Sequence, residues 1–171
     1  MDELKRLSNE DIQHAEKQPI IVILDDIRSM HNVGSAFRTC DAFRIGALYL
    51  CGYTPQPPHR DIHKTALGAT ETVNWQYFTT TLDAVNTAKE EGYKIIAIEQ
   101  AHNSTMLDKY NVTLGEKIAL VFGNEVGGVS EEVMKVADEC IEIPQWGSKH
   151  SLNISVSLGV VLWEMVRGRK L

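Results

Sequence analysis

The chain has 171 residues, of which 43% are hydrophobic and 23% are charged, and its formal net charge is −6. This length and composition predict one globular domain with a sizeable core, and no apolar run approaches the roughly 20 residues of a membrane helix. The acidic balance argues mildly against a nucleic-acid-binding protein, although local basic patches matter more than the total charge.

The N-terminus, MDELKRLSNEDIQHAEKQ, is charged throughout and lacks the apolar centre of a signal peptide. We therefore expect a cytoplasmic protein with no membrane attachment.

The three cysteines, Cys40, Cys51 and Cys140, are scattered along the chain. They form no C-x-x-C pair and no Cys/His ligand spacing, so we expect reduced thiols and no metal site. Cys40 lies inside a polar motif, but no base is placed beside it, and a packed core thiol is the favoured interpretation.

Helices and strands are predicted to alternate along the chain. A polar helix is expected over residues 2–17, so residues 1–18 are interpreted as an N-terminal helical extension and residues 19–171 as the main domain. Apolar runs predict strands at residues 20–24, 47–51, 74–78, 95–98, 119–122 and 140–143. Helices are predicted at residues 33–43, 82–91 and 130–137, the last capped by Ser130, with a helical turn at 64–71 and a proline-rich loop at 52–60.

This alternation predicts an α/β sandwich around a parallel sheet. In open parallel sheets, ligands bind beyond the carboxyl ends of the strands. Three polar, glycine-bearing segments follow predicted strands, at residues 25–38, 123–128 and 144–153. We therefore expect these three loops to form one site at the same edge of the sheet.

The first loop contains the run HNVGSAFR. With a helix starting near Val33, Asn32 is expected to cap it, and Gly34 allows another group to approach the helix start closely. An amide and the Arg38 guanidinium at one edge suit phosphate or ribose recognition. The alternative is that Asn32 only caps the helix and Arg38 pairs with an acid.

The second loop contains the run FGNEVGG, whose glycines indicate a tight turn after a strand. It lacks both the dinucleotide-binding glycine pattern and the phosphate-loop lysine. Glu125 is placed where it could fix an arginine. A plain glycine-rich turn is the alternative.

The third loop runs from IPQWGSKH into SLNISVSLGVVLWEM. Ser151 is expected to cap a final helix, whose apolar residues recur at three- and four-residue steps: Ile154, Leu158, Val161, Leu162 and Met165. Free N–H groups at a helix start make a natural cradle for a polar ligand. An ordinary loop leading into a packing helix is the alternative.

Together these runs resemble a known family. HNVGSAFRTCDAF, GNEVGGVS and IPQWGSKHSLNISVSLG are similar, in this order, to the three motifs of the SpoU (TrmH-type) RNA ribose 2′-O-methyltransferases of the SPOUT superfamily. KTALGATETV also resembles a linking segment of that family, and the likeness extends from about residue 20 to residue 166. Trp146 and His150 depart from the usual third motif without breaking it.

The resemblance implies a SPOUT fold with a C-terminal trefoil knot, a homodimer, and S-adenosyl-L-methionine bound in a bent form. Carried over by motif, the cofactor-binding residues would be Gly123, Ile143 and Leu152, with Glu99 after the strand at 95–98. The catalytic set would be Asn32, Arg38, Glu125, Ser151 and Asn153.

The implied reaction is methyl transfer to a ribose 2′-hydroxyl of RNA, with transfer RNA slightly preferred over ribosomal RNA because the chain is short. The family assigns the arginine matching Arg38 as the base. A guanidinium normally stays protonated, so orientation of the hydroxyl and stabilisation of its developing charge are the alternative role, with Glu125 restraining Arg38. Six basic residues are expected to contact RNA, namely Arg28, His59, Arg60, His63, Lys64 and Lys149.

Two other functions stay open at this point. One is an inactive RNA-binding or assembly factor of the same fold, against which the full catalytic set counts. The other is a small-molecule enzyme that uses a nucleotide, which the acidic net charge favours and the missing nucleotide-binding patterns disfavour.

Overall fold

The structure is a computed structural model that describes residues 8–149 and 151–168. Its centre is a seven-stranded sheet in which every paired neighbour is parallel, in the order β3-β2-β1-β6-β4-β7-β5. The strands are β1 Gln18–Asp25, β2 Ile45–Cys51, β3 Trp75–Phe78, β4 Lys94–Ile98, β5 Thr105–Met106, β6 Ile118–Gly123 and β7 Glu139–Glu142. The helices are α1 Asn9–His14, α2 Met30–Ala42, α3 Arg60–Ala66, α4 Thr81–Glu90, α5 Glu131–Val136 and α6 Ile154–Val166.

Strand β1 lies in the middle of the sheet and is buried on both faces. Ile20, Val22 and Leu24 pack on one face with residues of helices α2, α3 and α6. Ile21 and Ile23 pack on the other face with residues of α4 and α5. The continuous apolar run of this strand is therefore explained by helices on both sides, which confirms the predicted α/β sandwich around a parallel sheet.

Several predicted boundaries are wrong. The first helix ends at His14 rather than residue 17, and its predicted start lies outside the described residues. Strand β1 begins at Gln18 rather than at residue 20, because Pro19 is tolerated near the start of a strand. The helical turn expected at 64–71 is instead helix α3, which the His59 side chain caps and which is followed by Leu67 in the left-handed conformation. Strand β5 and the 3-10 helix at Leu107–Lys109 were not predicted.

Two predicted helix caps are also wrong. Ser29, not Asn32, caps α2, because the Ser29 hydroxyl accepts a hydrogen bond from the Asn32 backbone N–H at 3.3 Å. Asn153, not Ser151, caps α6, because its Oδ1 accepts from the Ser155 N–H at 2.9 Å. Ser130 precedes α5 as predicted, but its side chain makes no capping hydrogen bond.

Helices α2 and α3 approach each other closely at Gly34. A Cβ at this position would collide with the Thr65 side chain and the Ile62 carbonyl. The close approach predicted for Gly34 is therefore real, and the neighbouring group is a second helix. Because α3 carries His63 and Lys64, this contact fixes the basic helix against the helix that carries Asn32 and Arg38.

Within residues 8–149 and 151–168, no helix is both long and apolar enough to cross a membrane.

We expect Gly34→Ala to lower the free energy of unfolding by about 1–3 kcal/mol, because the added methyl group overpacks the contact between α2 and α3. Urea denaturation monitored by circular dichroism measures this effect. Ser35→Ala, one residue along the same helix, is the control and should stay within about 0.5 kcal/mol of the wild type. Equal stability of the two variants would show that α2 and α3 are farther apart at Gly34 than the structure places them.

Candidate active site

A cavity of about 430 Å³ opens at the carboxyl edge of the sheet. Four segments form its walls: residues 98–100 after β4, residues 122–129 after β6, residues 142–145 around the end of β7, and the start of α6. The second and third predicted loops therefore meet at this cavity. The position agrees with the general rule that open parallel sheets bind ligands beyond the ends of their strands.

The loop after β6 folds back on itself because of its glycines and Asn124. The Asn124 Oδ1 accepts hydrogen bonds from the N–H groups of Val126 and Gly127, at 3.0 and 2.8 Å. Gly128 has a φ of +65°, and a Cβ on Gly123 would collide with the Gly128 backbone. The predicted tight turn is confirmed, and it places the backbone of Gly123 directly on the cavity wall.

Glu99 braces this turn from the neighbouring strand. Its Oε2 accepts a hydrogen bond from the Val129 N–H at 3.0 Å, and its Oε1 accepts from the Gln100 N–H at 2.8 Å. Glu99, Gly123, Ile143 and Leu152 all line the cavity, so the four predicted cofactor-binding residues lie around one space.

A chain of hydrogen bonds joins the three predicted loops at the edge of this cavity. The Asn32 Nδ2 donates to Glu125 Oε1 at 2.7 Å, and the Asn153 Nδ2 donates to Asn32 Oδ1 at 3.3 Å. These partners are 93 and 121 residues apart in sequence. Because Glu125 also lines the cavity, the Asn32 amide is held at its margin by both other motifs.

Arg38 and Ser151 are less constrained. The Arg38 side chain is exposed, and among the described residues no carboxylate lies within the 4.0 Å of an ion pair with it. The predicted restraint of Arg38 by Glu125 is therefore absent here, since the Glu125 oxygen that makes a contact binds Asn32. Ser151 is exposed and lines the cavity.

The residues predicted to bind RNA lie outside the cavity walls. Arg60, His63 and Lys64 are exposed on α3, which packs beside α2, and His59 is half-buried at its start. The Arg28 guanidinium lies 5.3 Å from the centre of the exposed Tyr53 ring, a cation–π contact. Lys149 is exposed in the loop between β7 and α6.

Cys40 and Cys51 are buried thiols with a structural role. Cys40 is fully buried on the core-facing side of α2, and burial, together with the nearby Asp41, raises the pKa of its thiol. Burial likewise raises the pKa of Cys51 to about 12. Neither thiol forms a thiolate readily at neutral pH, so neither is suited to nucleophilic attack.

Two residues that shape the site were not predicted. Asn124 holds the turn after β6. An asparagine followed three residues later by the glycines Gly127 and Gly128 is a recognisable sign of such a turn. Asp25 is buried at the end of β1, where it accepts hydrogen bonds from the Thr81 hydroxyl at 2.5 Å and the Ser130 N–H at 2.9 Å. It ties the starts of α4 and α5 to the central strand.

The sequence profile of the SpoU rRNA Methylase family matches residues 19–163, which include all three loops of the site. The chain belongs to this family. The resemblance carried by the three motifs is thereby confirmed.

Two relatives show the range of substrates within the family. The tRNA (guanosine(18)-2′-O)-methyltransferase of Aquifex aeolicus is 32% identical over 168 residues, which cover 98% of this chain and 77% of the relative. The 23S rRNA (guanosine-2′-O-)-methyltransferase RlmB of Neisseria meningitidis is 33% identical over 160 residues, which cover 94% of this chain and 63% of the relative. The chain therefore spans about three quarters of one relative and less than two thirds of the other.

Solved structures agree with this membership. The AdoMet-bound rRNA methyltransferase from Sinorhizobium meliloti has a TM-score of 0.82 at 27% identity, covering 95% of this chain and 61% of its own. The TrmH/SpoU tRNA modifying enzyme of Aquifex aeolicus has a TM-score of 0.79 at 29% identity, covering 93% of this chain and 79% of its own.

We expect Asn32→Asp to make stability depend on pH, because it places a second carboxylate against Glu125. Two ionised carboxylates repel each other, so the loss of stability relative to the wild type should be largest at neutral pH and should shrink in acid, where carboxylates take up protons. Glu125 is exposed and screened by solvent, so the loss at pH 7 should be on the order of 1 kcal/mol or less. Urea denaturation at pH 4 and pH 7 measures it.

The control combines Asn32→Asp with Glu125→Gln, which restores an amide–carboxylate pair with the donor and acceptor exchanged. This double variant should regain most of the stability at pH 7. Equal destabilisation of Asn32→Asp at both pH values would show that the two side chains are not in contact.

Proposed function

We propose that this protein transfers a methyl group from S-adenosyl-L-methionine to a ribose 2′-hydroxyl of RNA. The observation that carries the proposal is the meeting of three distant loops through the Asn153–Asn32–Glu125 hydrogen bonds, beside a cavity whose walls the second and third loops form. Membership of the family and the named activities of its relatives support the same reaction. Since both relatives act on guanosine, a guanosine ribose is the first target to test.

The cavity suits the proposed cofactor in size and chemistry. Its volume of about 430 Å³ falls within the range of about 300–1,000 Å³ typical of small-molecule sites. Phe122, Ile143 and Leu152 supply apolar surface for an adenine ring, while the glycine turn exposes its backbone. Gly123, Ile143, Leu152 and Glu99 would hold the cofactor, whose sulfonium supplies an activated methyl group when it is bound.

The protein's own contribution is to place the ribose. The Asn32 amide is held by one hydrogen bond at its nitrogen and one at its oxygen, so its orientation is fixed before substrate arrives. We assign Arg38 to orienting the 2′-hydroxyl and stabilising the negative charge that develops on its oxygen, because a guanidinium stays protonated and has no competing ion pair among the described residues. The proton that the hydroxyl gives up as its oxygen takes the methyl group would pass to solvent. Ser151 and Asn153 would help to position the substrate.

We expect Arg38→Ala to reduce methyl transfer by at least about 100-fold, as for removal of one oxyanion donor, while binding of S-adenosyl-L-methionine persists. Transfer is measured with tritiated cofactor on unmodified transcripts of transfer RNA and 23S ribosomal RNA, and the product is identified by mass spectrometry of digested nucleosides. Isothermal titration calorimetry measures cofactor binding.

Lys135→Ala removes an exposed cation on α5 and serves as the control, with activity close to that of the wild type. Equal loss of transfer and cofactor binding in Arg38→Ala would assign Arg38 to the cofactor pocket. If the wild-type protein binds RNA but transfers no methyl group to any transcript, the protein is a non-catalytic RNA-binding member of the family.

The RNA would approach across the basic residues of α3. Arg60, His63 and Lys64 form an exposed basic surface next to the helix that carries Asn32 and Arg38, and Lys149 adds an exposed cation in the loop between β7 and α6. Relatives that act on transfer RNA and on ribosomal RNA are nearly equally identical to this chain, at 32% and 33%. The preference for transfer RNA therefore stays a hypothesis for the transcript assay to decide.

We further propose that two copies associate through α6, as the resemblance implies. A helix that is apolar all round is normally buried all round. One face of α6 packs into the core, yet Val156, Val160 and Trp163 on its other face are 51%, 41% and 58% exposed. A second copy covering this stripe would remove it from water. The trefoil knot at the loop between β7 and α6 likewise remains a prediction from the family.

We expect the wild-type protein to have a mass of about twice 19.1 kDa in light scattering coupled to size-exclusion chromatography. Val156→Glu should shift it to the monomer, because the interface would have to bury an unpaired charge. Leu67→Glu, at an exposed leucine on the end of α3, is the control and should stay dimeric. A dimeric Val156→Glu variant would place the interface elsewhere.

A further inference from the structure

Two large apolar side chains beside the cavity are almost fully exposed. Trp146, in the loop between β7 and α6, is 91% exposed, and Val126, in the turn after β6, is 100% exposed. Their loops border the same cavity. A single exposed valine is ordinary on a protein surface, but an indole of this exposure contributes almost no burial to the fold of the described residues.

The position of Trp146 indicates what it could contact. On one side Ile143 and Gln145 line the cavity, and on the other Ser151 and Leu152 line it, whereas Trp146 is absent from the walls. The indole is therefore outside the cavity walls, on the loop that joins two parts of those walls, and it is exposed to solvent beside the space proposed for the cofactor.

The acidic net charge of the protein also favours an aromatic contact with RNA over binding by cations alone. Most non-specific RNA affinity comes from cations that neutralise phosphates, yet this chain has 23 acidic residues against 17 lysines and arginines. Stacking of a base on an aromatic ring requires no net charge and contributes about 1–3 kcal/mol per base. Exposed Lys149, three residues after Trp146, can contact a neighbouring phosphate.

We propose that Trp146 stacks on a nucleobase of the RNA substrate beside the cavity, with Val126 as a smaller apolar contact on the second loop. Stacking would hold the substrate strand while the ribose enters the site. This inference rests on the proposed RNA methyl transfer and adds a substrate-binding residue to it. Trp146 acts in binding, so its removal should affect the Michaelis constant for RNA more than the turnover number.

The test compares Trp146→Ala and Trp146→Phe with the wild type, using single-stranded polyadenylate as the binding probe and the transfer RNA and 23S transcripts for kinetics. Trp146→Ala should weaken polyadenylate binding and raise the Michaelis constant by about 5- to 150-fold, as the loss of one stacked base predicts. Trp146→Phe keeps an aromatic face and should stay within a few-fold of the wild type. Binding of S-adenosylhomocysteine should be unchanged in both variants.

Tryptophan fluorescence gives an independent readout. Polyadenylate should quench the wild-type emission, and most of that quenching should disappear in Trp146→Phe, which still binds RNA but retains only Trp75 and Trp163. Lys135→Ala, on α5 and outside the cavity walls, should quench as the wild type does.

Three results would overturn the inference. If Trp146→Ala binds RNA as tightly as the wild type, Trp146 does not stack on the substrate. If Trp146→Ala binds S-adenosylhomocysteine more weakly, the indole contacts the cofactor instead. If Trp146→Ala becomes a monomer in light scattering, the indole lies in a contact between two copies. The proposed function fails separately, if the wild-type protein transfers no methyl group to any transcript.

Discussion

The side-chain amide of Asn32 has one partner from each of the other two loops, and this arrangement constrains the whole site. Its nitrogen donates to Glu125, on the turn after β6, and its oxygen accepts from Asn153, at the start of α6. An amide can satisfy both partners at once because it carries a donor and an acceptor, whereas a carboxylate or an ammonium group could satisfy only one. The relative position of the three loops therefore depends on one side chain whose own backbone is fixed by the Ser29 cap.

The sheet makes this convergence possible. Strands β1 and β6 are paired in register, with Asp25 opposite Gly123, so the loops that follow them leave the sheet side by side. Asp25 then anchors the N–H of Ser130 beyond the glycine turn, and Glu99 holds the N–H of Val129 beside it. Two carboxylates, one at the end of β1 and one just after β4, thus fix the C-terminal end of a turn that has little side-chain packing of its own. The exposed backbone on the cavity wall is held by these contacts rather than by burial.

Much of this architecture could be predicted from local patterns, and the failures have physical causes. The periodicity from Ile154 to Met165 identified the buried face of α6, and the apolar run of β1 identified the central strand. The caps were misplaced because Ser29 and Asn32, or Ser151 and Asn153, can all accept a backbone hydrogen bond, and only the folded backbone decides between them. Strand β5 has two residues, too few for any periodicity. The contact between Asn32 and Asn153 joins residues 121 positions apart, so local patterns could not predict it; the sequence predicted only that their two loops lie at the same edge of the sheet.

Helix α2 connects these features mechanically. Its buried face, including Val33 and Phe37, packs into the core, while Asn32 in its first turn reaches the cavity loops. At Gly34 it touches α3, and this contact fixes the position of the exposed basic residues of α3 relative to α2. A strand of RNA bound on α3 would therefore press on the same rigid helix that positions Asn32 and Arg38. Because closely packed helices transmit displacement with little compression, the exposed basic residues of α3 and the Asn32 amide of α2 belong to one rigid unit, and the missing side chain of Gly34 allows the two helices to pack this closely.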